Sequence, residues 1–196
     1  TSSIYLQTGT NTSTGSSAAL VFSNINAQNE WMRIDSSGNV GIGTSSPNYE
    51  LQVNASDTIS VLQLTNTTTG STNSDGLLVY QNGLNSFISN QEAGSLLFET
   101  SATERMRIDS SGNVGIGVTP NTHNLGKALE IGAEGNVLWG EGAGNIHLLS
   151  NAYYNGGYKY ATSAPAGRYN IYKDTHIWAR ASYGTADTAA TFTESM

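Results

Sequence analysis

The chain has 196 residues, of which 37% are hydrophobic and 12% charged, with a formal net charge of −7, a pI near 4.7 and no cysteine. The acidic balance argues against a nucleic-acid partner, which usually requires a basic surface. The lack of cysteine excludes disulfides, thiol nucleophiles and thiolate metal sites, and with no run of about 18 apolar residues we expect no membrane-spanning helix.

Short strands and polar turns are expected from the start of the chain. Ile4-Tyr5-Leu6 and Ala19-Leu20-Val21-Phe22 are apolar runs separated by a Gly/Ser/Thr/Asn loop from Thr8 to Ser17. No window offers an apolar stripe at helical spacing that is long enough for a stable helix. We therefore predict an all-β protein with almost no helix.

The next stretch, MRIDSSGNVGIG from Met32 to Gly43, predicts a tight β-hairpin. Apolar residues occur at every second position of both arms, which is the period of a strand with one buried face. Asp35, Gly38 and Asn39 belong to the turn between the arms, and Gly38 should have positive φ in a three-residue loop with a glycine bulge. Gly41 and Gly43 leave one side of the second arm bare, so we expect another unit or another chain to approach closely there.

The same twelve residues recur unchanged from Met106 to Gly117, an offset of 74. Asp109, Gly112 and Asn113 are the corresponding turn residues. A fixed internal period of this kind indicates stacked structural units. After each copy come a proline, Pro47 or Pro120, and a short strand, and further strands are expected between the copies. These are Leu51-Gln52-Val53, Leu129-Glu130-Ile131, Val61–Leu64, Gly76–Tyr80 and Phe87-Ile88.

The last third is rich in aromatic and basic side chains. Seven of the ten tyrosines lie between Tyr153 and Tyr183. Three alternating stretches predict antiparallel strands, at Tyr158–Tyr160, Arg168–Lys173 and His176–Arg180. One interpretation is a small aromatic core, and the other is a ligand surface that stacks on sugar rings. The residues assigned to such a receptor surface are Tyr153, Tyr154, Tyr169, Tyr172, His176, Trp178 and Arg180.

The repeat also predicts the organisation of the chain. Phe192–Met196 aligns with the residues that precede each copy, so we expect a third copy to follow in a longer protein. The expected units are a first, partial repeat at 1–57, a second repeat at 58–131 and an aromatic-rich β unit at 132–196 that leads into the third repeat.

Two ligand interpretations of the repeat are considered; the calcium loop is disfavoured and the dinucleotide site is rejected. A calcium loop around Asp35 would have only one carboxylate, without a closing glutamate. The glycines of GNVGIG are in the wrong order for a dinucleotide-binding fingerprint, and no helix pattern follows them. We expect neither a metal nor a cofactor.

The stretch ERMRIDSSGNVGIG, followed by a Ser/Thr-Pro loop, resembles the shaft repeat of bacteriophage tail fibres and tailspikes, especially those of marine and environmental phages, which often end in a self-cleaving chaperone domain. Both copies share the resemblance, although Trp31 replaces arginine in the first and Ser195 replaces it before the expected third. The resemblance implies an elongated, intertwined homotrimer of β-hairpin units, with a β-prism-like or β-helix-like form. It also implies an extracellular virion protein that attaches the phage to a host cell-surface carbohydrate or a protein receptor.

The alternative function is a tailspike polysaccharide depolymerase, acting as a glycoside hydrolase or lyase. A glycosidase needs two carboxylates about 5 to 10 Å apart. Folding, or contact across a trimer interface, could bring together Glu134 with Glu141, or Asp174 with Glu194. His123, His147 and His176 lie in no nucleophile motif. The sequence therefore favours a non-enzymatic adhesin.

Overall fold

The computed structural model describes residues 7–8, 19–24, 29–123, 126–132, 135–141, 145–173 and 175–195. Within these residues no helix occurs, so the all-β prediction is confirmed. The chain divides into two compact units, Thr1–Gln91 (unit 1) and Glu92–Met196 (unit 2). The first predicted strand, Ile4-Tyr5-Leu6, and most of the loop after it lie outside the described residues.

Unit 1 contains a five-stranded sheet and a three-stranded sheet. The five-stranded sheet has its strands in chain order: β1 (Gln7–Thr8), β2 (Leu20–Ser23), β3 (Glu30–Ile34), β4 (Val40–Ile42) and β5 (Leu51–Val53). The three-stranded sheet is an antiparallel meander of β6 (Ile59–Leu64), β7 (Leu77–Asn82) and β8 (Asn85–Asn90). Strands β3 and β4 form the predicted hairpin, whereas β5 pairs parallel to β4.

Unit 2 repeats this arrangement and extends it into a nine-stranded sheet. Its first four strands are β9 (Leu96–Thr100), β10 (Thr103–Ile108), β11 (Val114–Ile116) and β12 (Lys127–Ile131). The extension consists of β13 (Asn136–Glu141), β14 (Asn145–Ser150), β17 (Ala166–Tyr172), β18 (Thr175–Ala181) and β19 (Thr193–Glu194), and a separate small sheet pairs β15 (Ala152–Tyr154) with β16 (Tyr158–Tyr160). In the nine-stranded sheet the only parallel pair is β11–β12, which corresponds to β4–β5 of unit 1.

The apolar core of the described chain lies on one side of the sheet extension in unit 2. Trp139 is fully buried at its centre, with the rings of His147 and Tyr154 stacked on it at centroid distances of 4.5 and 4.9 Å. The small β15–β16 sheet supplies Ala152 and Tyr160 to the same cluster, and the C-terminal segment supplies Ala190. Alternation along β14 then directs Ile146 and Leu148 to the opposite face, where both are exposed.

Candidate functional site

The two copies of the repeat fold into the same turn. In the first, the Gly38 N–H donates to the Asp35 carbonyl at 3.0 Å, and the Asp35 N–H donates to the Asn39 carbonyl at 2.9 Å. Asp35 Oδ1 accepts from the backbone N–H groups of Ser37 and Asn39, as an Asx-turn does. These bonds, the one from Asn39 first, lower the pKa of Asp35 below its usual value. The carboxylate is thus occupied in closing the turn.

The positive φ predicted for both turn glycines is confirmed, with values of 86° at Gly38 and 83° at Gly112. Asp109 makes the corresponding bonds to Ser111 and Asn113. In the second copy Asn113 is also buried, and its side-chain oxygen accepts from the Ala128 N–H at 3.1 Å. The second turn is therefore tied to the parallel strand β12.

The bare glycine side of the hairpin is filled differently from the prediction. A Cβ on Gly41 would lie 2.6 Å from the Thr44 carbonyl oxygen, and a Cβ on Gly115 would lie 2.2 Å from the Val118 carbonyl oxygen. The proline loop that follows each strand folds back over the glycine, and Pro47 is buried there. At Gly41 and Gly115 the expectation that another unit or chain approaches is wrong, because the protein's own loop occupies the space, whereas a Cβ on Gly117 would meet no atom within 4 Å.

A side-chain acceptor on the next strand holds each proline loop in place. Gln52 Oε1 accepts from the Asn48 N–H at 3.0 Å in the first copy. In the second copy Glu130 is fully buried, and its carboxylate accepts from the backbone N–H and the side-chain amide of Asn121 at 2.9 and 2.8 Å. Sequence reasoning missed this role. The signal was a polar residue at the centre of the strand after each proline.

A β-bulge and an ion pair precede each turn. Trp31 and Arg105 are the extra residues where the register shifts, and Trp31 is exposed. Residues i and i+3 of a regular strand face opposite sides, but one inserted residue returns them to the same side. Arg33 consequently forms a two-bonded pair with Glu30, both N–O distances being 2.6 Å. The equivalent bond from Arg107 holds the pKa of Glu104 below its usual value.

The other side of each hairpin sheet carries eight apolar side chains, which we call the repeat face. Strand register aligns them in two rows across four strands. In unit 1 they are Leu20, Ile34, Val40, Leu51 and Phe22, Met32, Ile42, Val53. In unit 2 they are Leu96, Ile108, Val114, Leu129 and Phe98, Met106, Ile116, Ile131. None of the sixteen is buried, and Ile42 and Ile116 are each 41% exposed.

The repeat face of unit 2 continues onto the sheet extension. Leu129 aligns with Leu138, Leu148, Tyr169 and Trp178 in one row across β12, β13, β14, β17 and β18. We call the last four residues of this row the aromatic extension. Leu138 and Leu148 are 44% and 49% exposed, and Trp178 is 63% exposed. The rings of Tyr169 and Trp178 lie 4.2 Å apart, and the Tyr169 hydroxyl contacts His176 Nδ1.

The seven residues assigned to a receptor surface are not brought together. Tyr153 is buried and donates its hydroxyl to Asp187 Oδ1 at 2.6 Å; burial first, and then this bond, raise its pKa to about 12. Tyr154 is stacked on Trp139 in the core. The buried Tyr153 ring cannot form part of an open binding platform, so its assignment is corrected, whereas Tyr154 is half-buried against the core.

The other five assigned residues lie on or beside the β17–β18 hairpin. Tyr169, His176, Trp178 and Arg180 share the face that bears the aromatic extension. Tyr172 points to the opposite face and is 47% exposed, with the Lys173 ammonium group 5.4 Å from its ring centroid. Tyr172 and Lys173 therefore form an exposed tip at the end of this hairpin, whereas His176 lies on the face of the aromatic extension.

The described residues provide little support for a catalytic or a metal site. No group of three or more His, Asp or Glu residues that could hold a metal occurs within the ranges the structure describes. Glu134 and Asp174, which belong to the two carboxylate pairs considered for a depolymerase, lie outside those ranges, as does the side chain of Glu141. None of the described segments forms a helix with the length and apolar character needed to cross a membrane.

Comparison with models of known protein families gives no match to this chain, and comparison with curated proteins gives none either.

Proposed function

We propose that the chain is a structural, receptor-binding segment of a phage tail fibre, and that three copies assemble through their open apolar faces. Two features of the repeat support this proposal: its resemblance to fibre shafts and its exposed apolar face. Eleven aliphatic or aromatic residues of the described chain are buried, and the first of them in sequence is Ala128. Apart from Pro47 in its own loop, the described part of unit 1 thus has apolar sheet faces but no buried apolar side chain.

A single-layer sheet with an apolar face is not expected to persist alone in water. A sheet with one hydrophobic face must bury that face against another layer, and small units without disulfides commonly do so by association. The meander of unit 1 has the same property. Leu62, Val79 and Ile88 are paired across its three strands and are 46%, 43% and 59% exposed. Further copies of the chain would cover these side chains.

Light scattering coupled to size-exclusion chromatography tests the assembly. The expected mass is about three times 20.7 kDa. The variant Ile116→Glu places a charge on the repeat face and should dissociate the assembly, because burying an unpaired carboxylate costs several kcal/mol. The matched control is Leu84→Glu, since Leu84 is fully exposed in the turn between β7 and β8. A folded parent chain of 20.7 kDa at micromolar concentration would refute the proposal.

We further propose that the fibre binds a host cell-surface glycan through the hairpin tip of Tyr172 and Lys173. An exposed tyrosine ring offers a stacking surface, and the adjacent ammonium group can donate hydrogen bonds to sugar hydroxyls. Three tips in one assembly would strengthen a weak contact by avidity. The test compares the binding of the parent and of Tyr172→Ala to a glycan array. Equal binding by both refutes the site, and release of oligosaccharides would identify a depolymerase instead.

A further inference from the structure

The two repeat faces are nearly interchangeable. Seven of the eight side chains are identical between units 1 and 2, and the eighth changes only from Val53 to Ile131. Copies that associate through these faces could align unit 1 with unit 1, or unit 1 with unit 2, at similar free energy. A sequence that is specific for one arrangement needs an element that disfavours the shifted one.

The aromatic extension is the part of this surface that breaks the equivalence. The sheet of unit 1 ends at β5, directly after the repeat face, whereas the sheet of unit 2 continues through β13, β14, β17 and β18. Leu138, Leu148 and Trp178 stand exposed in the same row as Leu129. In the shifted alignment these side chains have no aromatic counterpart in unit 1, and they would remain in water.

We infer that the aromatic extension is a contact between copies of this chain and that it sets their axial alignment. The inference rests on the proposed assembly and adds to it which surface determines the register. A second copy is the occupant that this surface favours, because the row is continuous with the repeat face and consists of Leu138, Leu148, Tyr169 and Trp178. The neighbouring row adds Ile146 and Ile171 on the β14–β17 side of the rings, while His176 and Arg180 flank Trp178 along its own strand.

A sugar site would need polar groups around the exposed indole, but one of the nearest is already engaged. The Tyr169 hydroxyl is hydrogen-bonded to His176. The ring of Tyr169 packs against Trp178, with 4.2 Å between centroids. Large exposed apolar patches on a folded chain mark contacts with proteins, membranes or ligands, and the continuity of this row with the repeat face points to a protein contact. This surface is accordingly distinct in role from the hairpin tip that carries Tyr172.

Cysteine cross-linking tests the register. The chain has no cysteine of its own, and Ile42 and Ile116 occupy equivalent positions with 41% exposure each. Chains carrying Ile42→Cys with an affinity tag are co-expressed with untagged chains carrying Ile116→Cys, and a short bis-maleimide is added. Aligned copies give only products that join two Ile42→Cys chains or two Ile116→Cys chains, which we call the like products. Shifted copies give the mixed product, which the tag distinguishes on a gel.

In the parent background we expect the two like products and no mixed one. Trp178→Gln, or Leu148→Gln as a second variant, should produce the mixed product at a yield comparable to the like products, without loss of assembly. Tyr183→Ser is the control, since Tyr183 is 70% exposed and lies outside the sheet rows. It should give the parent pattern.

Three outcomes overturn the inference, and they separate it from the proposed assembly. A parent pattern in both Trp178→Gln and Leu148→Gln means that the register is set elsewhere. Loss of glycan binding in Trp178→Gln with an unchanged cross-link pattern means that the surface contacts sugar. A parent chain that yields no cross-links and scatters as a monomer refutes the assembly itself, and the register with it.

Discussion

Substituting Gly115 by alanine isolates the contribution of the proline loop to stability. Gly115 lies in β11 and does not have positive φ, so backbone strain does not enter. An added Cβ would lie 2.2 Å from the Val118 carbonyl oxygen and 2.8 Å from Pro120 Cδ. Ordinary carbon contacts are about 3.5 to 4.0 Å, so the loop must move by about 1 Å.

The cost of this movement follows from what the loop holds. Overpacking alone typically costs about 1–3 kcal/mol. The shift also strains the two hydrogen bonds from Asn121 to the buried Glu130 carboxylate, and bonds to charged groups contribute about 1.5–3 kcal/mol each. If one of them is lost, we expect Gly115→Ala to lower the free energy of unfolding of unit 2 by about 3–5 kcal/mol.

Gly140→Ala is the matched control, because Gly140 lies in β13 of the same sheet, does not have positive φ and would place its Cβ in open space. Removing a glycine at such a position should be neutral or stabilise by less than about 1 kcal/mol. Urea denaturation at a fixed protein concentration, followed by tryptophan fluorescence, measures both variants. If Gly115→Ala unfolds at the same urea concentration as Gly140→Ala, the loop does not pack on the glycine as described.

Three further predictions concern the turns, the core tyrosine and the assembly. Gly38→Val together with Gly112→Val should lower the melting temperature, because each valine is forced to positive φ at about 1–3 kcal/mol; an unchanged temperature would argue against the hairpin turn. The pKa of Tyr153 is raised to about 12 from 10.0, so its contribution to stability is complete below pH 10 and lost as the pH rises to about 12. Tyr153→Phe should flatten that alkaline loss in pH-dependent unfolding, and a parent-like profile would contradict the buried environment. Finally, the parent melting temperature should rise with protein concentration, as expected when association stabilises the folded chain, whereas Ile116→Glu should show no such rise.

The strands with simple alternation were predictable from the sequence. Leu51–Val53 and Tyr158–Tyr160 have the predicted bounds, and the hairpin turn forms around Gly38 as expected. In these segments local pattern and turn chemistry agree, so the tertiary environment does not have to choose between alternatives. The parallel partner of each hairpin was not foreseen, because a parallel pair needs a crossover whose course depends on the proline loop rather than on either strand.

Strands β13 and β14 were also missed, and their composition explains why. Val137, Leu138 and Trp139 are consecutive apolar residues that face alternately into the core and out of it. Such a run does not show the period of two that identifies a half-buried strand. In the aromatic region, alternation correctly places residues on opposite faces of a strand, but it does not indicate which sheet face the small β15–β16 sheet covers. Tyr153 and Tyr154 lie in that small sheet, so their packing does not follow from the sequence pattern.

The exposed faces also explain why folding and assembly of this chain should be coupled. Complete burial of a large aliphatic side chain contributes about 1.5–3 kcal/mol, and the eight side chains of each repeat face are already partly covered. If covering the remainder contributes about 1 kcal/mol per side chain, one repeat face supplies roughly 8 kcal/mol on association. That is as large as the total stability of many domains, about 5–15 kcal/mol. Apart from Pro47, no aliphatic or aromatic side chain is buried among the described residues of unit 1, so under the proposed assembly most of the apolar burial in unit 1 would come from contacts between copies.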